Sequence, residues 1–358
     1  MAGKLNRMAL LRRGKTPDRV PVLVTFDWYS GKMMGSDPGS FFLNPKLALE
    51  ACIWTNKLFP VDSGYSYYLP NGTCWDFGGE LEFGAHIWPT VRKRPVTTMA
   101  DVDKLQVPDP QSAPAFALTM EFSQLCWDLG EGAGIYLSSP LERVAQLTGV
   151  ETLLRWLYKA PEPVHYLMRL MVEYSMKEVT LYLDRFGREN LHVGYGYPVE
   201  SHQLISPKRF EELCAPYIKE LHERIGALGI TSCSEHLCGD HTHNLWFWKE
   251  ELKLPKHTYI SLDGNTDIFK ASNYLGEHFV LGGNLKNSIL SCGSPQEVYY
   301  SAKELVQRLK HRAGGYVLAP DCGLPATTPP VNVVALIQAA EDFGYYDAQD
   351  MLKDGAVF

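Results

Sequence analysis

Thr258-Tyr259-Ile260-Ser261-Leu262, Phe279-Val280-Leu281-Gly282-Gly283 and Tyr316-Val317-Leu318-Ala319 are three short apolar runs, and the stretches between them, about 266–275 and 295–312, carry helical periodicity. Apolar runs this short read as strands, and near-continuous apolarity marks strands buried on both faces. Strands of that kind alternating with helices give a parallel sheet covered by helices. The alternation extends upstream, through an expected strand near 230–235, a helix at about 206–227, the run Leu191-His192-Val193-Gly194-Tyr195-Gly196 and a long helix at 161–186. Downstream a last helix spans about 331–343. Near the start, a short helix at 4–13 precedes an expected first strand, Val20 to Phe26, with Pro21 near its beginning, where a missing N–H is tolerated. A helix at 45–58 follows, and residues 59–112, rich in Pro, Gly and aromatics, read as excursions around a pocket. No Gly-x-Gly-x-x-Gly follows a strand, which removes support for a dinucleotide-binding open sheet. No repeat, linker or low-complexity tract divides the chain. The expectation is a single α/β domain over 1–358, a (β/α)8 TIM-type barrel with an N-terminal helical segment.

Composition narrows the function. The 358 residues are 45% hydrophobic and 21% charged, ordinary for a globular protein, with a formal net charge of −7 that disfavours nucleic acid as a partner. The amino terminus shows no secretory h-region, and no run approaches the roughly 18 apolar residues that span a bilayer, so the expected location is the cytoplasm. Eight dispersed cysteines in such a chain do not read as a disulfide framework. Oligomeric state is not decided by any of this.

The chemistry concentrates in Ser234-Glu235-His236-Leu237-Cys238-Gly239-Asp240, at the end of an expected strand. Residues i and i+2 of extended backbone point the same way, so His236 and Cys238 face one point. Leu318-Ala319-Pro320-Asp321-Cys322-Gly323 leaves the last strand in the same manner. In a parallel barrel all carboxyl ends of strands share one face, where active sites are built. One imidazole and two thiolates suit Zn2+, and three protein ligands leave one position open, as catalytic zinc sites do. Asp263, ending another strand, is a candidate to fill that position or to orient His236. The competing reading is a satisfied histidine beside buried thiols, and His241 and His243 are nearby substitutes as ligands or residues at a helix start facing solvent.

The chain also resembles the uroporphyrinogen decarboxylase superfamily, in particular its zinc-dependent methyltransferases. The similar stretches are Pro17-Asp18-Arg19-Val20-Pro21, Ile205-Ser206-Pro207-Lys208-Arg209-Phe210, Leu281-Gly282-Gly283-Asn284-Leu285, Gly293-Ser294-Pro295-Gln296-Glu297-Val298 and Gly315 to Pro325, followed by Thr328-Pro329-Pro330-Val331-Asn332. Methylcobamide:coenzyme M methyltransferases of this superfamily carry His-x-Cys with a distant Cys, a pattern that His236, Cys238 and Cys322 match. The decarboxylases lack it and open with an Arg-Gln-Ala-Gly-Arg type motif. Here the corresponding Phe26-Asp27-Trp28-Tyr29-Ser30-Gly31 has no arginine. The resemblance implies a barrel, a zinc ion and methyl transfer between the cobalt of a corrinoid and a small thiol, amine or methoxyaromatic compound, the last being O-demethylase chemistry. The alternative it leaves is a metal-free decarboxylase.

The base-off cobalamin signature Asp-x-His-x-x-Gly is absent, so the cobalamin is expected on a separate corrinoid protein. Glu200 and His202, after the 191–196 strand, are candidates for proton transfer, against the reading of surface polar residues. Trp28, Tyr29, Tyr65, Tyr195 and Tyr197 are candidates for an aromatic substrate pocket, against the reading of core packing.

Overall fold

The computed structural model describes residues 6–84 and 88–346. An antiparallel hairpin, β1 (Glu80–Glu82) and β2 (Thr90–Lys93), stands apart from the main sheet. The sheet comprises β3 (Ala133–Ser138), β4 (Leu191–Gly196), β5 (Cys233–Leu237), β6 (Tyr259–Leu262), β7 (Val280–Gly282) and β8 (Tyr316–Val317). Every neighbour pair is parallel, and spatial order follows sequence order. A doubly wound sheet reverses its strand order at a switch point, whereas this sheet winds one way, as a barrel does. Helices Pro140–Thr148, Val150–Lys159, Pro161–Phe186, Ala215–Ala227, Ile268–Leu275, Pro295–Leu309 and Pro330–Phe343 cover its outer face. Their buried residues join one large core with Leu191, Val193, Leu237, Ile260 and Leu281.

The expected strand from Val20 to Phe26 is not a regular ladder. It forms an isolated parallel bridge, Val22 to Leu318, where Leu23 donates to the Leu318 carbonyl at 3.0 Å and Leu318 to that of Pro21 at 2.9 Å. On its other edge one backbone bond, Asp62 donating to the Val22 carbonyl at 2.7 Å, is supplemented by side chains. Asp62 accepts from the Val22 amide at 2.9 Å and Ser63 from that of Val24 at 3.2 Å. Pro21 has no N–H to offer a ladder, and Asp62 is held in place by Arg7 at 2.8 Å and Arg19 at 3.0 Å. These two passes, near 20–26 and 61–68, continue the sheet beyond β8.

The expected helix at 4–13 is observed as Arg7–Arg12, and Lys4 and Leu5 lie outside the described residues. It caps the amino-terminal end of the strands: Met8 and Leu11 pack on Val280 and Val317, with Leu23 and Tyr259 against them. Above that plug the inward residues are partly open to solvent. Along β5, Glu235 and Leu237 are sealed while Ser234, His236 and Cys238 keep partial access to solvent. On β6, Ile260 and Leu262 are sealed between the half-open Tyr259, Ser261 and Asp263. The apolar set faces the helices, and the polar set faces a wet interior.

Candidate metal centre and barrel mouth

Strand β5 was expected near 230–235 but runs Cys233–Leu237, because pairing with β6 continues through His236 opposite Ser261 and Leu237 opposite Leu262. His236 is therefore on the strand and Cys238 one step beyond it. Gly239 then turns the chain at φ +88, where a Cβ would meet Ser201 and Gln203 at 2.7 Å. Cys322 arrives from the loop after β8. The donor atoms of His236, Cys238 and Cys322 lie within 4.8 Å of one another. A tetrahedral zinc ion with bonds of about 2.0–2.3 Å needs ligand atoms roughly 3.5–4 Å apart. The three residues fit that demand. Cys322 is exposed and Cys238 half-buried, which leaves a side of the cluster open to the mouth.

The imidazole is oriented for this task. Nδ1 of His236 is 3.0 Å from the Ser261 hydroxyl, while Nε2 is buried and meets no hydrogen-bond partner. A polar atom in that state marks a missing ligand. Burial alone would lower the His236 pKa, but contact with the Cys322 sulfur, with Asp263 and Asp321 behind it, raises it. Between the thiols, the nearness of Cys238 and of the His236 imidazole lowers the Cys322 pKa and favours it as the thiolate, while Cys322 raises that of Cys238 and holds it as the thiol. Asp263, expected as a fourth ligand or as the residue orienting His236, stands beside the cluster, and the hydrogen-bond partner of the imidazole is Ser261. One carboxyl oxygen caps its own turn, accepting from Asn265 at 2.8 and 2.7 Å, and the other lies 4.0 Å from the Cys238 sulfur. Ser261 holds the ring in its place.

Three residues not singled out from the sequence complete the mouth. Asp27, at φ 40, faces Cys322, and burial pushes its carboxyl up to about 6. Tyr136 of β3 lies along β4, so that a Cβ on Gly196 would stand 1.7 Å from its hydroxyl and one on Gly194 3.2 Å from its ring. Glu142, at the start of Pro140–Thr148, accepts from the Tyr68 hydroxyl at 3.2 Å. The Tyr68 and Tyr136 rings meet edge to face at 5.6 Å.

The expected aromatic pocket is largely elsewhere. Tyr195 and Tyr197 share strand parity with Leu191 and Val193 and point to the helix layer. Tyr195 stacks on His222 at 4.1 Å, and Tyr197 donates to Glu235 at 2.7 Å and edges against Trp248. Trp28 packs on Phe41 and Phe42, with Tyr65 in the same satellite core, and Tyr29 stacks on Phe26 in the main core. Tyr68, outside that expected group, is the tyrosine that packs against Tyr136 at the mouth. Glu200 is not on the surface: it is fully buried after β4, and burial with Glu142 nearby raises its carboxyl to about 8. His202 is partly exposed beside exposed His243, to whose amide its Nε2 is 3.1 Å distant. His241 is fully buried, with Nε2 on the carbonyls of Tyr197 and Cys238 at 2.9 and 3.1 Å; it braces the turn after Cys238 rather than facing solvent.

With this geometry in place, comparison with known proteins is informative. The family model for uroporphyrinogen decarboxylase (URO-D) matches residues 4–343. The chain belongs to the uroporphyrinogen decarboxylase family. Among curated relatives of the family, the methylcobamide:CoM methyltransferase MtbA of Methanosarcina acetivorans is 25% identical over 148 residues, so the match spans 41% of each chain. MtbA of Methanosarcina mazei gives 26% over 149 residues, again 41% of each. A uroporphyrinogen decarboxylase of Coxiella burnetii is 21% identical over 85% of this chain and 83% of its own. The fold matches a solved methyltransferase from Methanosarcina mazei with a TM-score of 0.78 at 21% identity, covering 94% of this chain and 98% of that one. No helix among the described residues is long and apolar enough to cross a membrane.

Proposed function

We propose that this chain is a zinc-dependent methyltransferase that moves a methyl group between a small thiol, amine or methoxyaromatic compound and the cobalt of a separate corrinoid protein. The observation that carries the reading is the convergence of His236, Cys238 and Cys322 at an open barrel mouth, with the His236 Nε2 buried and unpartnered. Zinc held by these three residues supplies Lewis acidity, which lowers the pKa of a thiol or stabilises a departing heteroatom. The protein's own contribution is placement. Ser261 fixes the imidazole, the Gly239 turn aims Cys238, and the exposed side of Cys322 leaves room for a substrate and for a docked corrinoid. Glu200 and His202 stay as candidates for proton movement, Glu200 beside Glu142 and His202 on the rim.

The rival is a metal-free decarboxylase, supported by the longer alignments to that branch. It gives no role to two thiols and an imidazole brought together from the end of β5 and the loop after β8, and it requires cations for substrate carboxylates where Phe26 to Gly31 offers none.

The test is metal and transfer on the same samples. Protein purified without chelators is expected to hold close to one zinc per chain. Cys322→Ser and Cys238→Ala are expected to lose the metal, and with it transfer to or from a supplied corrinoid protein, while circular dichroism melting changes little. Absence of transition metal even after zinc reconstitution would falsify the reading. A variant without zinc that transfers methyl groups at the wild-type rate removes the metal from the mechanism.

A further inference from the structure

Resting on the methyltransferase reading, the wall opposite the metal cluster says what kind of substrate enters. We propose that Tyr136, with the Tyr68–Glu142 pair behind it, is the specificity-determining wall of the site, and that it selects a neutral or cationic substrate over an anionic one.

The first observation is that Tyr136 is built into place. Its ring lies in a trough that exists only because β4 carries glycine at 194 and 196, and its hydroxyl occupies the space a Gly196 side chain would take. A tyrosine in an ordinary core position is sealed, whereas Tyr136 keeps 45% of its surface accessible although protein crowds it. That combination describes a side chain lining a hollow. Gly196 is the ladder partner of His236, so a hydroxyl at the Gly196 side-chain position stands beside the cluster. Tyr68 packs edge-on against it, and Glu142 takes the Tyr68 hydroxyl and acts on Cys238 as well.

The second observation is the sign of the charges. Asp263 lies 4.0 Å from the Cys238 sulfur, Asp27 holds an oxygen 3.8 Å from where a Cβ on Gly323 would stand, Asp321 precedes Cys322 and takes the Asn287 amide at 3.1 Å, and Glu142 takes the Tyr68 hydroxyl, so acids and phenols surround the cluster and Tyr136. The guanidinium that reaches Glu142, Arg143, is held by Glu178 at 2.8 Å and by the Ser138 carbonyl at 3.3 Å. Arg12 acts at the opposite end of the strands, on Cys233 and Tyr259. Cys233 lies three residues before His236, a distance of roughly 10 Å along a strand. Lys286 passes Gly264 on the rim and is exposed. A sulfonate or carboxylate beside Tyr136 and Glu142 would give up its water next to a carboxyl group, which is costly. A neutral group accepts a hydrogen bond from the phenols, and an ammonium gains from Glu142 and the two aromatic rings.

Three thiols of nearly equal size and different charge test this: 2-mercaptoethanol, 2-aminoethanethiol and 2-mercaptoethanesulfonate. Each is titrated calorimetrically into the zinc-loaded full chain, with metal content measured on the same samples. The neutral and cationic thiols are expected to bind at least tenfold more tightly than the sulfonate. Glu142→Gln is expected to shrink the cation-to-anion ratio, and Tyr136→Phe to weaken the neutral thiol with zinc retained. Gly196→Ala, which displaces the Tyr136 ring without altering any charge, is expected to act like Tyr136→Phe. Zinc at one per chain with the sulfonate bound as tightly as the others overturns the proposal and leaves the metal site standing. So does an unchanged charge ratio in Glu142→Gln. Failure to bind zinc overturns the methyltransferase reading first, and this inference falls with it.

Discussion

Strand β5 carries chemistry on both of its faces, and the two faces do opposite things. Ser234, His236 and Cys238 look into a wet lumen, where His236 keeps a buried nitrogen without a partner and Cys238 stands near Cys322. Glu235, one residue away, looks into the helix layer. It accepts from Tyr197 at 2.7 Å, and that same hydroxyl is 2.8 Å from Nε2 of His222. The outer cluster of Glu, His and Tyr has the composition of an active site, yet the helix layer seals it, Glu235 and Tyr197 being fully buried. Its burial holds the Glu235 carboxyl up at about 8 and His222 down at about 3, so neither carries charge at neutral pH. The lesson is that residue type names the candidates, and the two-residue period of the strand decides which of them meets a ligand.

Adjacent substitutions break this contrast most sharply. His236→Ala should weaken zinc binding by more than the roughly 10–100-fold that loss of an outer-shell partner costs. Methyl transfer should fall with it, and melting should barely move. Glu235→Ala should do the reverse. It removes the acceptor of the Tyr197 hydroxyl from a sealed layer and leaves a gap beside the Tyr197–His222 pair, at about 1–3 kcal/mol. For a chain this long that lowers the melting temperature by several degrees while zinc stays bound. Zinc titration and thermal melting of the two variants check both halves. If Glu235→Ala loses zinc as completely as His236→Ala, the two faces are not independent.

Ser261→Ala sharpens the inner side. The hydroxyl is 3.0 Å from Nδ1 of His236 and is the ring's observed partner. Its loss should cost about tenfold in zinc affinity, at the low end of what such outer-shell partners contribute. Competition with a chromophoric chelator measures this, and an unchanged affinity would show that strand geometry alone sets the imidazole.

Much of this was legible in the sequence. The helices at 45–58 and 161–186 and the run Leu191 to Gly196 have the expected bounds. The pairing of His236 and Cys238 with Cys322 needed only strand parity and the shared carboxyl face of a barrel. What the sequence hid was set by distant partners. β3 escapes notice because its inward residues, Gly134, Tyr136 and Ser138, interrupt the apolar run and are chosen for the lumen. Val20 to Phe26 has the composition of a strand, but Asp62 and Ser63 take up its edge. Asp27 has no local signal, being a single acid in an aromatic stretch, and it gains meaning from Cys322 across the mouth. Tyr195 and Tyr197 misled for a simpler reason. Their neighbours Gly194 and Gly196 face the lumen, and the tyrosines therefore cannot.

Glu200 probes where the boundary between the wet and sealed regions lies. Its carboxyl is held neutral to about pH 8, first by burial, with Ser139 opposing and Glu142 adding to the shift. A raised carboxyl pKa stabilises the fold fully below the ordinary value of about 4.5 and loses that contribution as pH climbs toward 8. Wild-type melting temperature should therefore drift down between pH 5 and 8. Glu200→Gln, which stays neutral, should flatten that drift by a few degrees. An unchanged slope would mean that water reaches the carboxyl and that it belongs to the lumen.

The smallest effect is expected at Tyr195, and it separates the outer face from a substrate wall most cleanly. As a substrate residue, Tyr195 would lose much of its function when its hydroxyl is removed. As placed, its ring stacks on His222 at 4.1 Å between strand and helix, on the far side of β4 from Tyr136. Tyr195→Phe keeps the ring and its packing. Stability should change by no more than about 0.5 kcal/mol, the range of substitutions that disturb neither core volume nor a buried network. Zinc content and methyl transfer should stay within about twofold of wild type, since no inward-facing group is touched; a twofold change is less than 0.5 kcal/mol in transition-state free energy. Tyr136→Phe, measured alongside, removes the same atom from the other face of the barrel wall and is expected to weaken substrate binding. Equal losses from the two variants would show that the helix-side network of Tyr195 and His222 communicates with the mouth. A loss at Tyr136 alone means that the orientation of each side chain, rather than its nearness in sequence to the site, determines what it does.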